Sequence, residues 1–182
     1  MQLPEHAKKV FEGVIFDVFQ WQQKMFDGSE ETFERVRRPA TVTVIPTAGS
    51  SVFISHEEQP GRPVSSTLLG GRVEEGEDPL LAAKRELLEE AGMASDDWEL
   101  YKMYEPVIKI DWQIYVYIAR NCRKVADQTL DAGERILVQE LNFDAFVDLV
   151  SAEGFGETEL AVDVLRMRLD GKLELFRKML FT

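Results

Sequence analysis

The chain has 182 residues, 45% of them apolar and 30% charged, with a formal net charge of −12 at pH 7. That length allows one well-filled core with a small appendage, and the acidity excludes nucleic acid and anionic membrane as partners, because both demand basic surface. The single cysteine, Cys122, excludes an internal disulfide and points to a reducing cytoplasm.

Residues 1–20 contain no continuous apolar core followed by a cleavage-like site, so no signal peptide is expected. Val14, Phe16 and Val18 alternate, and Asp27-Gly28 then signals a hairpin whose return strand is predicted over Glu31 to Arg38. Pro39 marks a boundary. ATVTVIP from Ala40 is a β run rich in branched residues, Thr47 to Ser50 is a turn, and SVFIS is the partner strand. Residues 56–66 read as a polar loop with two prolines, followed by a short strand, a loop and a helix. Strands are predicted over 98–107 and 112–119, with Ile110-Asp111 in the turn between them, then a polar loop over 121–134 and a strand from Arg135 to Leu141. The apolar run from Ile114 to Ala119 is far too short to cross a bilayer. Phe143 to Val150 and Glu159 to Leu169 have amphipathic helical spacing, and Leu173 to Leu180 makes a third such segment. Mixed strands with helices on both sides predict an α+β chain built as an α/β/α sandwich. Residues 1–39 would form an N-terminal hairpin segment ahead of a domain over 40–182.

The most informative stretch is GRVEEGEDPLLAAKRELLEEAGM at residues 71–93. Asp78-Pro79 is a good helix start and Gly92 a good stop. Leu80, Ala83, Leu87 and Ala91 recur at helical spacing and are expected to face the core. Glu86, Glu89 and Glu90 then sit at i, i+3 and i+4, pointing away from that stripe into a groove or water. Three carboxylates on one face suit a hard divalent cation, Mg2+ or Mn2+. Zinc is disfavoured, since Cys122, His6 and His56 show no ligand spacing.

The same stretch fits the pattern G-x5-E-x7-R-E-U-x-E-E-x-G-U, U being a bulky apolar residue, at Gly71, Glu77, Arg85, Glu86, Leu87, Glu89, Glu90, Gly92 and Met93. The chain therefore resembles the Nudix hydrolase family. That resemblance implies a metal held by Glu86 and Glu90, with Glu89 and the Gly70 carbonyl joining them. It implies hydrolysis of a diphosphate bond, with Arg85 orienting a carboxylate and Glu77 as its partner. The flanks resemble the branch that cleaves ADP-ribose and related nucleotide sugars, through ETFERVRRP, Gln59…Arg62-Pro63, DAGERILV at 131–138 and the segment DLVSAEGFGETELAVDVL. On that resemblance Arg38 and Arg62 would contact the diphosphate or ribose, and Phe33 would stack on the nucleobase, including that of a partner subunit in a homodimer. Glu134 would be the general base, with Asp131 in reserve. The alternatives are nucleoside triphosphates, dinucleoside polyphosphates or GDP-sugars as substrates, or a nucleotide-sensing module without catalysis. Thr67-Leu68-Leu69-Gly70-Gly71 stands where the branch usually has E-U-P-A-G, and Pro106 lies nearer the box than the branch's marker proline.

Overall fold

The computed structural model describes residues 3–182. Three strands open the chain, β1 (Lys8–Glu12), β2 (Asp17–Lys24) and β3 (Glu30–Arg37). β2 and β3 form the expected hairpin around Asp27-Gly28, paired from Asp17–Arg37 to Lys24–Glu30. Two longer strands, β4 (Thr41–Ala48) and β5 (Ser51–Glu58), begin the central sheet, and two short ones, β6 (Ser65–Thr67) and β7 (Leu69–Arg72), run into α1 (Pro79–Ala91). Beyond it come β8 (Met93–Ala94), β9 (Asp97–Tyr104), β10 (Ile110–Asp111), β11 (Ile114–Arg120), β12 (Arg123–Lys124) and β13 (Arg135–Asn142). The chain ends in α2 (Phe143–Val150), α3 (Thr158–Leu169) and α4 (Leu173–Phe181).

The central sheet has the order β13-β5-β4-β11-β9, with β6 on β5 and β7 on β4; β4 and β11 are parallel. Period-2 alternation sends successive residues of these strands into two different cores. Val42, Val44, Tyr117 and Ala119 face α1, where they pack with Leu69, Ala82, Ala83, Leu87 and Ala91. Ile45, Val116 and Ile118 face the other way, against Phe146, Leu160, Val164, Phe176 and Leu180 of α2–α4. The sheet is thus sandwiched between α1 and the three later helices, as the sequence predicts. In α1 the buried face includes Ala82, whereas Leu80 is only partly covered.

The structure corrects several local expectations. Residues 56–66 are not all loop: β5 continues to Glu58 and β6 pairs with it. Ile110-Asp111 is not a turn but a strand, lying parallel to Val36-Arg37 and closing the four-stranded sheet β1-β2-β3-β10. The 121–134 loop contains β12, which pairs with β8.

The junction between the two sheets has a register feature that matters for the site. Ile110 pairs with Val36 and Asp111 with Arg37, while Ile114 pairs with Thr41. Between these ladders, residues 38–40 lie opposite residues 112–113, where both segments cross from one sheet to the other. Arg38 lies in this crossing.

Candidate active site

α1 is capped as its sequence predicts. The Asp78 carboxylate accepts from the Leu80 and Leu81 N–H groups at 2.9 and 3.3 Å, Pro79 occupies the first turn, and Gly92 takes the left-handed conformation at φ 59°. A Cβ on Gly92 would stand 2.1 Å from the Ala126 carbonyl oxygen, so this glycine is also needed for close approach. The reason is that the 121–134 loop docks on the last turn of the helix. The Val125 and Ala126 amides donate to Gly92 O at 2.9 and 3.1 Å, the Thr129 amide to Glu89 O at 2.8 Å, and Lys124 Nζ to Ala91 O at 2.9 Å. Gln128 Nε2 donates to Glu90 O at 2.5 Å. The free carbonyls of a helix end are satisfied in this way, and the loop carries Glu134 to the box carboxylates.

Those carboxylates meet at β7. Gly70, at φ 152°, puts its amide 2.7 Å from Glu90 Oε2, and a Cβ there would lie 2.1 Å from Val42 O. A Cβ on Gly71 would lie 2.5 Å from Glu86 Oε1, so the box glycine makes room for that carboxylate. Glu90 is 7% exposed, so of the two options left open, groove or water, it takes the groove, lining the cleft from within its wall. Burial pushes its carboxyl up to about 9, with Glu86, Glu134 and Glu57 adding to the rise and the Gly70 N–H opposing it. Burial also raises Glu86, against the pull of Arg85, and raises Glu134, with Asp131 adding to it.

Arg85 fixes this arrangement. Its Nε and Nη2 grip both oxygens of Glu77 at 3.1 and 3.0 Å, its Nη1 donates to Glu86 and Glu89 at 2.7 and 3.1 Å, and Nη2 also donates to Arg72 O at 3.0 Å. All five guanidinium N–H groups are used. That geometry commits every Arg85 donor to Glu77, Glu86, Glu89 and the Arg72 carbonyl. Its hydrogen bonds hold the Glu77 carboxyl below the ordinary range.

A cavity of about 450 Å3 gathers Gly70, Gly71, Arg85, Glu86, Glu89, Glu90, Asp131, Glu134 and Arg38, with Gln59 and Ile15 at its margin. Two other predicted residues lie apart from it within this chain. Arg62 lines a neighbouring hollow with Gln59, Gly133 and Glu134. Phe33 lies on β3 in a separate hollow, its ring 6.0 Å from Trp21 and 5.0 Å from Lys109 Nζ.

Sequence reasoning overlooked three side chains. Glu57 lies close enough to affect Glu90 and Glu134 electrostatically and accepts from Gln59 Nε2 at 2.5 Å. Its place on β5, with the strand pairing with β6, was hidden by a polar sequence that reads as loop. Glu157 is half-buried at the start of α3, accepts from Leu68 N at 3.1 Å and from the Thr67 hydroxyl, and is pushed up to about 7 by desolvation of its carboxyl. With the Gly156 amide on Ser66 O at 3.0 Å, it ties the α2–α3 loop to the strand leading into Gly70. Trp112 stacks on Arg38. No motif marks any of the three, because each is brought in by pairing between distant segments.

Among the described residues no three acidic, His or Cys side chains already stand around one point as a metal cage, but the chemistry of the donors at the cleft suits a divalent cation. Glu90 is a buried carboxylate whose one hydrogen-bond donor is a backbone amide, and among the described residues no Lys, Arg or His lies within 4.0 Å of it. Such a group is costly unless something positive joins it. The Gly70 carbonyl, Glu86 and Glu89 are hard oxygen donors of the kind Mg2+ and Mn2+ take.

A model of the NUDIX domain matches residues 36–155, more than half of the chain, and the chain belongs to the NUDIX family. It is a Nudix hydrolase by that membership, with every box carboxylate present. It is similar to the methanol dehydrogenase activator of Bacillus methanolicus, 24% identical over 174 residues, covering 92% of this chain and 93% of the relative. It is also similar to the ADP-ribose pyrophosphatase of Bacillus subtilis (strain 168), 22% identical over 171 residues and covering 92% of each. A solved structure described as an ADP compounds hydrolase shares the fold with a TM-score of 0.72 at 20% identity, covering 92% of this chain and 94% of that one. The family and the α+β sandwich expected from the sequence are therefore borne out.

Proposed function

We propose that the protein hydrolyses the diphosphate of a nucleoside diphosphate joined to another group, ADP-ribose or a related nucleotide sugar, with Mg2+ (or Mn2+) as cofactor. The observation that carries this reading is the convergence of Glu86, Glu89 and Glu90 with Gly70, Glu134 and Arg38 on one cleft. Glu86, Glu90, Glu89 and the Gly70 carbonyl would hold the cation. Bound there, it supplies neutralisation of charge on the diphosphate oxygens and acidifies the attacking water. Arg38 contacts the diphosphate, and Arg62 the diphosphate or the ribose. Glu134 takes the proton as the water oxygen bonds to one phosphorus and the bridging P–O bond breaks in line. The products are a nucleoside monophosphate and a phosphorylated sugar. The similarity to an ADP-ribose pyrophosphatase supports this substrate class.

A second copy of the chain would complete the site. Val10, Phe11, Val14, Ile15 and Phe16 are exposed apolar residues at the N-terminal sheet, an unusual density for free surface. Against a partner, Phe33 stacks on the nucleobase of that subunit's substrate; light scattering showing a monomer at micromolar concentration removes this role. The single thiol supports a cytoplasmic location, and the described residues contain no helix long and apolar enough to cross a membrane.

The test is a product-release screen with Mg2+ across nucleotide sugars, dinucleoside polyphosphates, GDP-sugars and nucleoside triphosphates. Preference for a nucleotide sugar supports the reading, and preference for a triphosphate overturns the substrate class. A second reading, a nucleotide sensor acting on a partner, draws on the similarity to the methanol dehydrogenase activator. It requires ADP-ribose to bind with Mg2+ and yield no product.

A further inference from the structure

Arg38 differs from most of the other arginines of this acidic chain. Arg37, Arg72, Arg85, Arg120 and Arg135 each have a carboxylate within 4.0 Å, yet among the described residues no carboxylate comes that near Arg38. Its Nε is buried with no hydrogen-bond partner. What it has instead is aromatic rings: its guanidinium carbon lies 4.4 Å from the Trp112 ring centre and 5.7 Å from that of Phe16. The indole is itself anchored, Nε1 donating to Thr41 Oγ1 at 3.1 Å. The backbones agree with this pairing, since the Arg38 amide donates to Asp111 O at 3.2 Å and the Thr41 amide to Gln113 O at 2.9 Å. Arg38 and Trp112 thus lie side by side where the two segments cross from one sheet to the other.

We propose that Trp112 is a positioning residue for substrate binding, its ring holding the Arg38 guanidinium unpaired and turned towards the carboxylate cleft. This rests on Arg38 contacting the diphosphate, as proposed above. A free arginine beside Asp131, Glu134 and the box acids has many carboxylates to collapse onto. A flat apolar face on one side offers cation–π attraction with no competing negative charge. It also removes water from one face of the cation and limits its rotamers, so less order is lost when a phosphate arrives.

The experiment compares wild type, Trp112→Leu, Trp112→Phe, Arg38→Ala and the double variant Trp112→Leu/Arg38→Ala. KM and kcat for ADP-ribose with Mg2+ and the Kd for ADP are measured, with folding checked by circular dichroism. Leu keeps apolar bulk without a π face; Phe restores the face without the indole N–H. The expected result for Trp112→Leu is a rise of about tenfold in KM and in the ADP Kd, with kcat within about twofold. Trp112→Phe should remain within about threefold of wild type, and Trp112→Leu should cost less than about twofold once Arg38 is Ala. Equal binding by Trp112→Leu and wild type, or an undiminished loss in the Arg38→Ala background, overturns the proposal. If wild type hydrolyses no nucleotide sugar, the functional reading fails on its own, and the ADP constants of the same five proteins still decide the role of Trp112.

Discussion

Glu90→Gln separates the electrostatics of the cleft from its chemistry. In the metal-free protein Glu90 has a carboxyl raised from 4.5 to about 9 by burial. A raised carboxyl contributes stability that is whole below pH 4.5 and is lost as pH rises towards 9, because the folded state keeps a proton the unfolded chain gives up. At pH 8 the difference is 8 − 4.5, or 3.5 pH units, which at ~1.36 kcal/mol each sets a ceiling of about 5 kcal/mol. Relaxation and water at the cleft mouth reduce this to about 2 kcal/mol. Gln keeps the acceptor for the Gly70 amide and never ionises. Metal-free Glu90→Gln should therefore melt roughly 4–8 °C above wild type at pH 8. At pH 5.5 the gap should shrink to about a third of that. Saturating Mg2+ should reverse the order, since a ligand at 100 times its Kd adds about 2.7 kcal/mol to wild type and little to the variant. Calorimetry across pH 5–9, with EDTA and with Mg2+, is the assay, alongside turnover, which should fall by orders of magnitude. Parallel melting curves for the two proteins at every pH, or an equal Mg2+ response in both, would refute the reasoning.

Glu134→Gln should lower kcat by about 10²–10⁴ with a modest change in KM, and an unchanged rate would move the base to Asp131. Gly70→Ala forces a Cβ to 2.1 Å from the Val42 carbonyl at φ 152°, so urea unfolding should show a loss of about 2–4 kcal/mol and titration a loss of Mg2+ affinity. Cys122 is buried and its thiol is pushed up to about 11, so a thiol reagent at pH 8 should label it only on unfolding; rapid labelling of the native protein would contradict its position.

The core and the metal-binding face were legible because they depend on local periodicity. Val42, Val44 and Ile45 alternate in a branched run, and Leu87 and Ala91 repeat at helical spacing within a segment whose caps were also visible. The box motif placed Glu86, Glu89 and Glu90 for the same reason: one short helix carries them. Glu90's burial was not legible, since it depends on β7 folding back over α1 and offering the Gly70 amide. Ile110-Asp111 read as a turn because two residues carry no period, and their strand character comes wholly from pairing with Val36-Arg37. The stacking of Trp112 on Arg38 follows from that same pairing. Phe33 and Arg62 rest on the resemblance alone, and within one chain their positions depend on loops and sheets rather than on the box.

The loop bearing Glu134 is fastened to backbone carbonyls of Glu89, Glu90, Ala91 and Gly92. Two of these anchor points belong to the residues whose side chains would grip the cation, so base and ligands share a single mechanical foundation. Fraying of one helical turn would disarm both halves of the chemistry together instead of leaving a half-competent enzyme. Amide exchange at Thr129 should then keep pace with exchange in the final turn of α1, and an occupied metal site should slow the two in concert.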